Sequence, residues 1–504
     1  MTKRVVVSAL CCALWVLTTG CEDECVDQFD CRNDNGQPDE GQEWVCNDDN
    51  ECEQRAVTQP PEPDAGTGGE EDAGTDAGTG GEEDAGTDAG TDMDAGTDAG
   101  SMSVPKGEAC VSSADCMAGL RCEGAAGSTT CQAMHVAVSA VEDANDDAKA
   151  LVMRFDTPGM TPLTGDGVES SHPRWGPGGA GIAFVQGATA SAAGELAVRD
   201  IPLVEGQSTV LADGGTGGTT RFWYTEWEPG NSIAWVRQNG SSRSGISAVP
   251  TDGGSVVEVT QSGTFPDWKD GTTFAFSTAT LGLSTLTLAE GAAPTPIANS
   301  GGTAEQPHYN RANDQLLFLA NPDNKTVTFD GDADPTPLPR LYTIQVTGGG
   351  QPQLIADYTS VSATDGAIES FIANPNWAPD GSWAAYVRAY YFKPTAGDAV
   401  LCGGGDARCA GTPGNRIFLR RINPQDGTPT QDPEVELAEG ATLPSFSPDG
   451  RHVAYIKGGQ LYVQQIDPAT GRAPEGVGPI IHPKGGYTLQ TRDGDDHRPR
   501  WQPK

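Results

Sequence analysis

The sequence predicts an all-β chain whose residues 135–504 form a seven-bladed β-propeller, and three observations carry that expectation. A phrase of Pro, one residue, an aromatic, a Gly-containing turn, then a small residue and a second aromatic recurs along the chain. Each copy is followed by two further alternating runs, so a repeat supplies four strands, the content of one blade. The phrase starts seven times, and the head of the region supplies the strands that the last start lacks.

The copies are Pro173-Arg-Trp175 with Ala183-Phe184, Trp227 with Ala234-Trp235, Pro266-Asp-Trp268 with Ala275-Phe276, Pro307-His-Tyr309 with Leu317-Phe318, Pro375-Asn-Trp377 with Ala385-Tyr386, Pro444-Ser-Phe446 with Ala454-Tyr455, and a last Pro499-Arg-Trp501. The two aromatics of a copy stand eight or nine residues apart, which fits adjacent antiparallel strands joined by turns such as Pro379-Asp380-Gly381 and Pro448-Asp449-Gly450. Third strands follow at Leu196–Val198, Ile246–Val249, Leu286–Leu288, Leu341–Ile344, Ile417–Leu419 and Leu461–Val463. Fourth strands are short, as at Val256–Val259 and Pro352–Leu354.

Successive first aromatics are 52, 41, 41, 68, 69 and 55 residues apart; the shortest intervals match a blade period and the longer ones carry insertions. Strands at Val136–Val141, Leu151–Phe155 and Pro162–Thr164 have no start before them, and Pro499–Trp501 has no strands after it. Joined, they make one shared blade, a closure that removes the free sheet edges on which chains aggregate.

The pattern at 444–455, with Ser447-Pro448-Asp449-Gly450 and Ala454-Tyr455, resembles the TolB-type repeat, and the resemblance covers essentially all of 135–504. It implies a propeller fold and protein contacts, with six blades as the alternative count because the family includes such members. It does not imply a function, since propellers host many.

The N-terminal part is different in kind. Lys3 and Arg4, an apolar run Val5–Leu17, and small or polar residues up to Gly20 read as an export signal over 1–20. Gly20-Cys21 resembles the lipobox of bacterial lipoproteins, which implies a lipid on Cys21. The other cysteines after the signal fall into even sets, namely Cys25, Cys31, Cys46 and Cys52, then Cys110, Cys116, Cys122 and Cys131, then Cys402 and Cys409. Even sets in an exported chain read as disulfides and leave Cys21 for the anchor. The pairing within each set of four stays open among three connectivities.

Residues 21–57 are a Cys-rich segment too polar to hold a core without cross-links, and 105–134 form a second Cys-rich module. Between them, 58–104 repeat Asp-Ala-Gly-Thr with acidic side chains and no basic ones, the composition of a disordered linker. The formal net charge is −39, which argues against nucleic acid as a partner. The expected location is the cell envelope, as an outer-membrane lipoprotein facing the periplasm or the outside, with the lipid as the sole membrane contact and the chain a monomer.

No motif of nucleophilic, phosphate-binding or zinc chemistry is present, and the chain has no room for the hydrolase domain that accompanies the propeller in prolyl oligopeptidases. Asp330, Asp332 and Asp334 alternate like the start of a calcium loop, but Pro335 and Leu341 stand where a turn Gly and a closing Glu belong. No cofactor or metal is expected. Residues flanking each Pro should meet at one mouth of the channel, which singles out His172, Arg174, Asp267, Gln306, His308, Asn374, His497, Arg498 and Arg500. The expected function is a non-enzymatic platform that binds an envelope protein or glycan. The alternatives are a structural lipoprotein without a ligand and an enzyme resembling the metal-dependent lyase branch of propellers, which would bring His172, His308 and His497 together.

Overall fold

The computed structural model describes residues 42–46, 52–56 and 104–504, the last with breaks at 125–127, 189–193, 201–207, 215–220, 228, 230, 240–241, 279–280, 290–291, 333, 404–406, 410–411, 413 and 492–496. The export run, Cys21, Cys25, Cys31 and the acidic linker up to 103 lie outside the described residues. In the N-terminal unit Gln42–Cys46 pairs antiparallel with Cys52–Ala56, which makes Cys46 and Cys52 register partners.

Seven separate antiparallel sheets follow, each one blade. Blade 1 holds Ser170–Trp175, Gly181–Gln186, Glu195–Asp200 and Thr209–Asp213; blade 2 begins at Arg221–Trp227, blade 3 at Thr264–Trp268, blade 4 at Glu305–Asn310 and blade 6 at Ala441–Phe446. Blade 5 begins with an extra strand, Ser360–Ala363, before its innermost strand Gly366–Trp377. Blade 7 is the shared one: Tyr487–Leu489 and Arg500–Trp501 both pair with His135–Glu142, which continues to Ala148–Arg154 and Thr161–Pro162.

The small-aromatic pairs expected from the repeat are the reason the blades stack. Ala183-Phe184, Ala275-Phe276 and Ala385-Tyr386 are almost wholly inaccessible, and the small residue lets the neighbouring blade approach its ring. Seven apolar clusters lie between consecutive blades, as where Val152 and Leu163 of blade 7 meet Trp175, Ile182 and Phe184 of blade 1. Full burial of one such side chain is worth about 1.5–3 kcal/mol.

The innermost strands share a feature that periodicity does not reveal. In blades 1 to 6 the register slips three residues before the first aromatic of the repeat, and the slipped residue has positive φ: His172, Tyr224, Phe265, Gln306, Asn374 and Leu443. Such a conformation is unfavourable for bulky residues and forms a bulge that re-aims the strand. Buried serines of the preceding blade support it: Ser139 Oγ accepts the His172 N–H at 3.1 Å and Ser277 Oγ accepts the Gln306 N–H at 3.1 Å.

Two parts exceed a plain propeller. From blades 4 and 5, at the end of Gly366–Trp377 away from Trp377, rises an outgrowth with its own small cores, one around Phe329, Leu338 and Tyr391 and one around Phe392 and the Cys402–Cys409 disulfide. The described residues of the Cys-rich module at 105–134 pack into the seam. Their disulfides are Cys110–Cys122 and Cys116–Cys131, and Cys131, Met134 and Leu120 share one core with Met153, Leu443, Ile456 and Trp501 of blades 7 and 6.

Candidate functional site

The residue before the first aromatic of each repeat, which follows Pro in every blade but blade 2, sits at the mouth of the channel. These are Arg174, Glu226, Asp267, His308, Asn376, Ser445 and Arg500, one per blade, and all line a single cavity of about 420 Å³. Arg498, Arg311 and Lys504 also line it.

Of the residues the sequence singles out, the structure places Arg174, Asp267, His308, Arg498 and Arg500 on this cavity. His172, Gln306, Asn374 and His497 are not among the lining residues, because the first three stand at the bulge, two residues before the mouth position. His172 stacks on His497 with ring centroids 5.3 Å apart, its Nδ1 lies 2.8 Å from Ser171 Oγ, and Asn374 Oδ1 accepts the Thr442 hydroxyl at 3.2 Å. Glu226, Asn376 and Ser445 were missed. Glu226 follows Thr225 rather than Pro, and the other two carry no charge, yet all three occupy the same place in the phrase.

The mouth residues and the aromatics beside them join every blade to the next. At four of the five tryptophans in this position the indole N–H donates to the backbone carbonyl of the mouth residue of the preceding blade: Trp175 to Arg500 at 2.9 Å, Trp268 to Glu226 at 3.2 Å, Trp377 to His308 at 2.9 Å and Trp501 to Ser445 at 3.0 Å, whereas the buried Trp227 indole N–H makes no such bond. Where the aromatic is Tyr or Phe the bond runs through the mouth side chain instead. Asp267 Oδ2 accepts the Tyr309 N–H at 2.6 Å and Asn376 Oδ1 accepts the Phe446 N–H at 3.0 Å. Blades 1 and 2 are joined by an ion pair, Arg174 Nε to Glu226 Oε1 at 3.2 Å, and Arg500 Nη2 reaches the same oxygen at 3.0 Å.

This girdle accounts for the recurrence of Pro-x-Trp. A chain whose seven sheets are built from that repeat and bonded blade to blade through it leaves one reading of the architecture. The chain is a seven-bladed β-propeller.

No protein-family model matches the chain, and neither does any curated protein. Among solved structures it is similar to TolB from Acinetobacter baumannii, with 15% identity, 74% of this chain and 67% of that one covered and a TM-score of 0.37. A putative TolB from Agrobacterium tumefaciens is 14% identical, covering 61% and 90%, with a TM-score of 0.37. An oligogalacturonate lyase in complex with manganese is 14% identical, covering 67% and 98%, with a TM-score of 0.32. At these values the likeness is one of fold and says nothing of activity.

The propeller's titratable groups follow from their surroundings. Burial raises the Asp267 carboxyl above the ordinary aspartate value against the pull of Arg311 at 3.8 Å and His308 at 3.9 Å. Among the described residues the only three potential metal-ligand atoms within 4.8 Å of one another belong to Cys110, Cys116 and Cys131, which are in disulfides. His172 and His497 stack on each other, but His308 does not join them in a group of three ligand atoms within that distance, which is what a lyase would ask of them. Asp330, Asp332 and Asp334 are all exposed at the tip of the blade 4 insertion.

Beside the mouth, Asp449 of the Ser447–Gly450 turn fastens the Cys-rich module. Its Oδ2 accepts the Gly119 N–H at 2.6 Å, and its Oδ1 accepts the Ser447 hydroxyl at 2.5 Å and the Arg451 N–H at 3.1 Å. Burial opposes ionisation, but these donors and His452 at 4.0 Å outweigh it and hold the carboxyl well below the usual range. Arg121 of the module donates to the Pro503 carbonyl, and Pro503 lines the mouth. The module thus sits at the rim of the cavity.

Proposed function

We propose that the protein is a non-enzymatic platform of the cell envelope, exported and anchored by a lipid on Cys21, whose channel mouth contacts an envelope protein or glycan. The observation that carries this reading is the convergence of one polar side chain from every blade on a single cavity. Rigid, bonded walls around a polar cavity suit recognition, because little order has to be gained on binding.

The same geometry argues against turnover. Asp267, the carboxyl with a raised value, uses Oδ2 to hold the Tyr309 N–H and is 3.9 Å from His308 Nδ1. Its place is in the girdle. The anchor reading rests on Gly20-Cys21 after the apolar run and on the even cysteine sets that leave Cys21 over.

The test is a pull-down from envelope fractions with the full chain and with an Arg174→Gln, His308→Gln, Arg500→Gln variant, which spares the girdle side chains of Asp267 and Asn376. A partner enriched by the wild type and lost with the variant is expected. Equal enrichment by both, or by neither, would contradict the reading. Cleavage of a uronate oligosaccharide by the purified protein would replace it with an enzymatic one.

A further inference from the structure

We infer that the mouth cavity takes a small organic anion carrying one or two carboxylates, an inference that rests on reading the mouth as a binding surface. The charge at the mouth is opposite to that of the molecule. Five permanent cations, Arg174, Arg311, Arg498, Arg500 and Lys504, line a cavity with two carboxylates, Glu226 and Asp267, in a chain of formal net charge −39. A concentration of one sign in a concave site focuses potential on it.

The cavity already accommodates one carboxylate. Glu226 Oε1 receives Arg174 Nε at 3.2 Å and Arg500 Nη2 at 3.0 Å, two charged donors from different blades on one carboxylate oxygen. Arg174 is almost wholly buried by its neighbours, whereas the Arg500, Lys504 and Arg311 side chains are 20%, 25% and 53% exposed. Those three cations are within reach of a ligand entering from solvent.

Size and screening select a small anion over a polymer. A cavity near 420 Å³ is in the small-molecule range of about 300–1,000 Å³. At physiological ionic strength charges farther away than about 8 Å are largely screened, so a small ligand responds to the mouth. A long polyanion lies along the surface and meets the acidic remainder of the chain.

Tryptophans 175, 227, 377 and 501 line the cavity and report on it by fluorescence. Titration of the full chain with glutarate and with succinate is expected to give a saturable change, absent with neutral galactose. Arg311→Gln, at a side chain 53% exposed that also donates to the Trp268 carbonyl at 2.8 Å, is expected to weaken binding about tenfold while the unfolding midpoint in urea shows the propeller still folded, and raising salt from about 50 to about 200 mM is expected to weaken binding about as much. No saturable response to either carboxylate, or one unchanged in Arg311→Gln, would overturn the inference. Equal binding of inorganic phosphate would overturn the carboxylate preference, and tighter binding of polygalacturonate would overturn the small size. A partner still captured through the mouth in the pull-down, with no carboxylate bound, would sink this inference and leave the platform reading standing.

Discussion

The indole of Trp501 in blade 7 donates to the carbonyl of Ser445 in blade 6 at 3.0 Å, both groups buried, and so bonds the closing blade to its neighbour. Trp501→Phe keeps the ring in its packing and leaves the carbonyl without that donor. A loss of about 1–3 kcal/mol is expected, read as a lower midpoint in urea at unchanged slope.

Asp449 gives the molecule an acid-sensitive fastening. A carboxyl held below its unfolded value of 3.8 binds protons more weakly when folded, so its stabilising effect is complete above that pH and drains away as the pH falls below it. Unfolding curves of the wild type should therefore lose stability in that acid window. Asp449→Asn should be less stable than the wild type at neutral pH, with the gap closing as the pH drops.

Asp267 carries the opposite sign. Its carboxyl is raised on folding, so the folded state binds its proton more tightly and ionisation costs stability as the pH rises past the unfolded value of 3.8. Asp267→Asn keeps an oxygen for the Tyr309 N–H and removes the buried charge. It should be at least as stable as the wild type at neutral pH. Asp267→Ala, which leaves that N–H unmet, should be less stable by about 1–3 kcal/mol.

The two kinds of disulfide differ in what they hold. Cys116–Cys131 closes a 15-residue span inside the core that joins the module to blades 6 and 7, and its removal should cost about 3 kcal/mol. Cys402–Cys409 closes 7 residues in the blade 5 outgrowth. Replacing that pair by Ser should leave the tryptophan fluorescence of the mouth unchanged while raising protease sensitivity around residue 402.

Much of this architecture was legible because propeller repeats write their packing into the sequence. Pro-x-Trp, the tight turn and Ala-aromatic recur since each blade must meet its neighbour in the same way, and the shared blade followed from a head without a start. The mouth was half legible. Arg174, Asp267, His308 and Arg500 stand out as charged residues beside Pro, but His172 and Asn374 look equivalent until the bulge separates them, and a backbone slip leaves no mark in residue type. Asp449 reads as an ordinary turn residue, like Asp380, which caps the Ser382 N–H of its own turn at 2.9 Å. Only the fold brings Gly119 to it.

The central claim, that the mouth is the surface through which this propeller works, is tested most directly by site-specific photocrosslinking in intact cells. A crosslinking residue at Arg311, on the mouth, is compared with one at Val257, on the exposed outermost strand of blade 2. The expected result is a discrete adduct from position 311 and none from 257; adducts from 257 alone, or from neither, would contradict it.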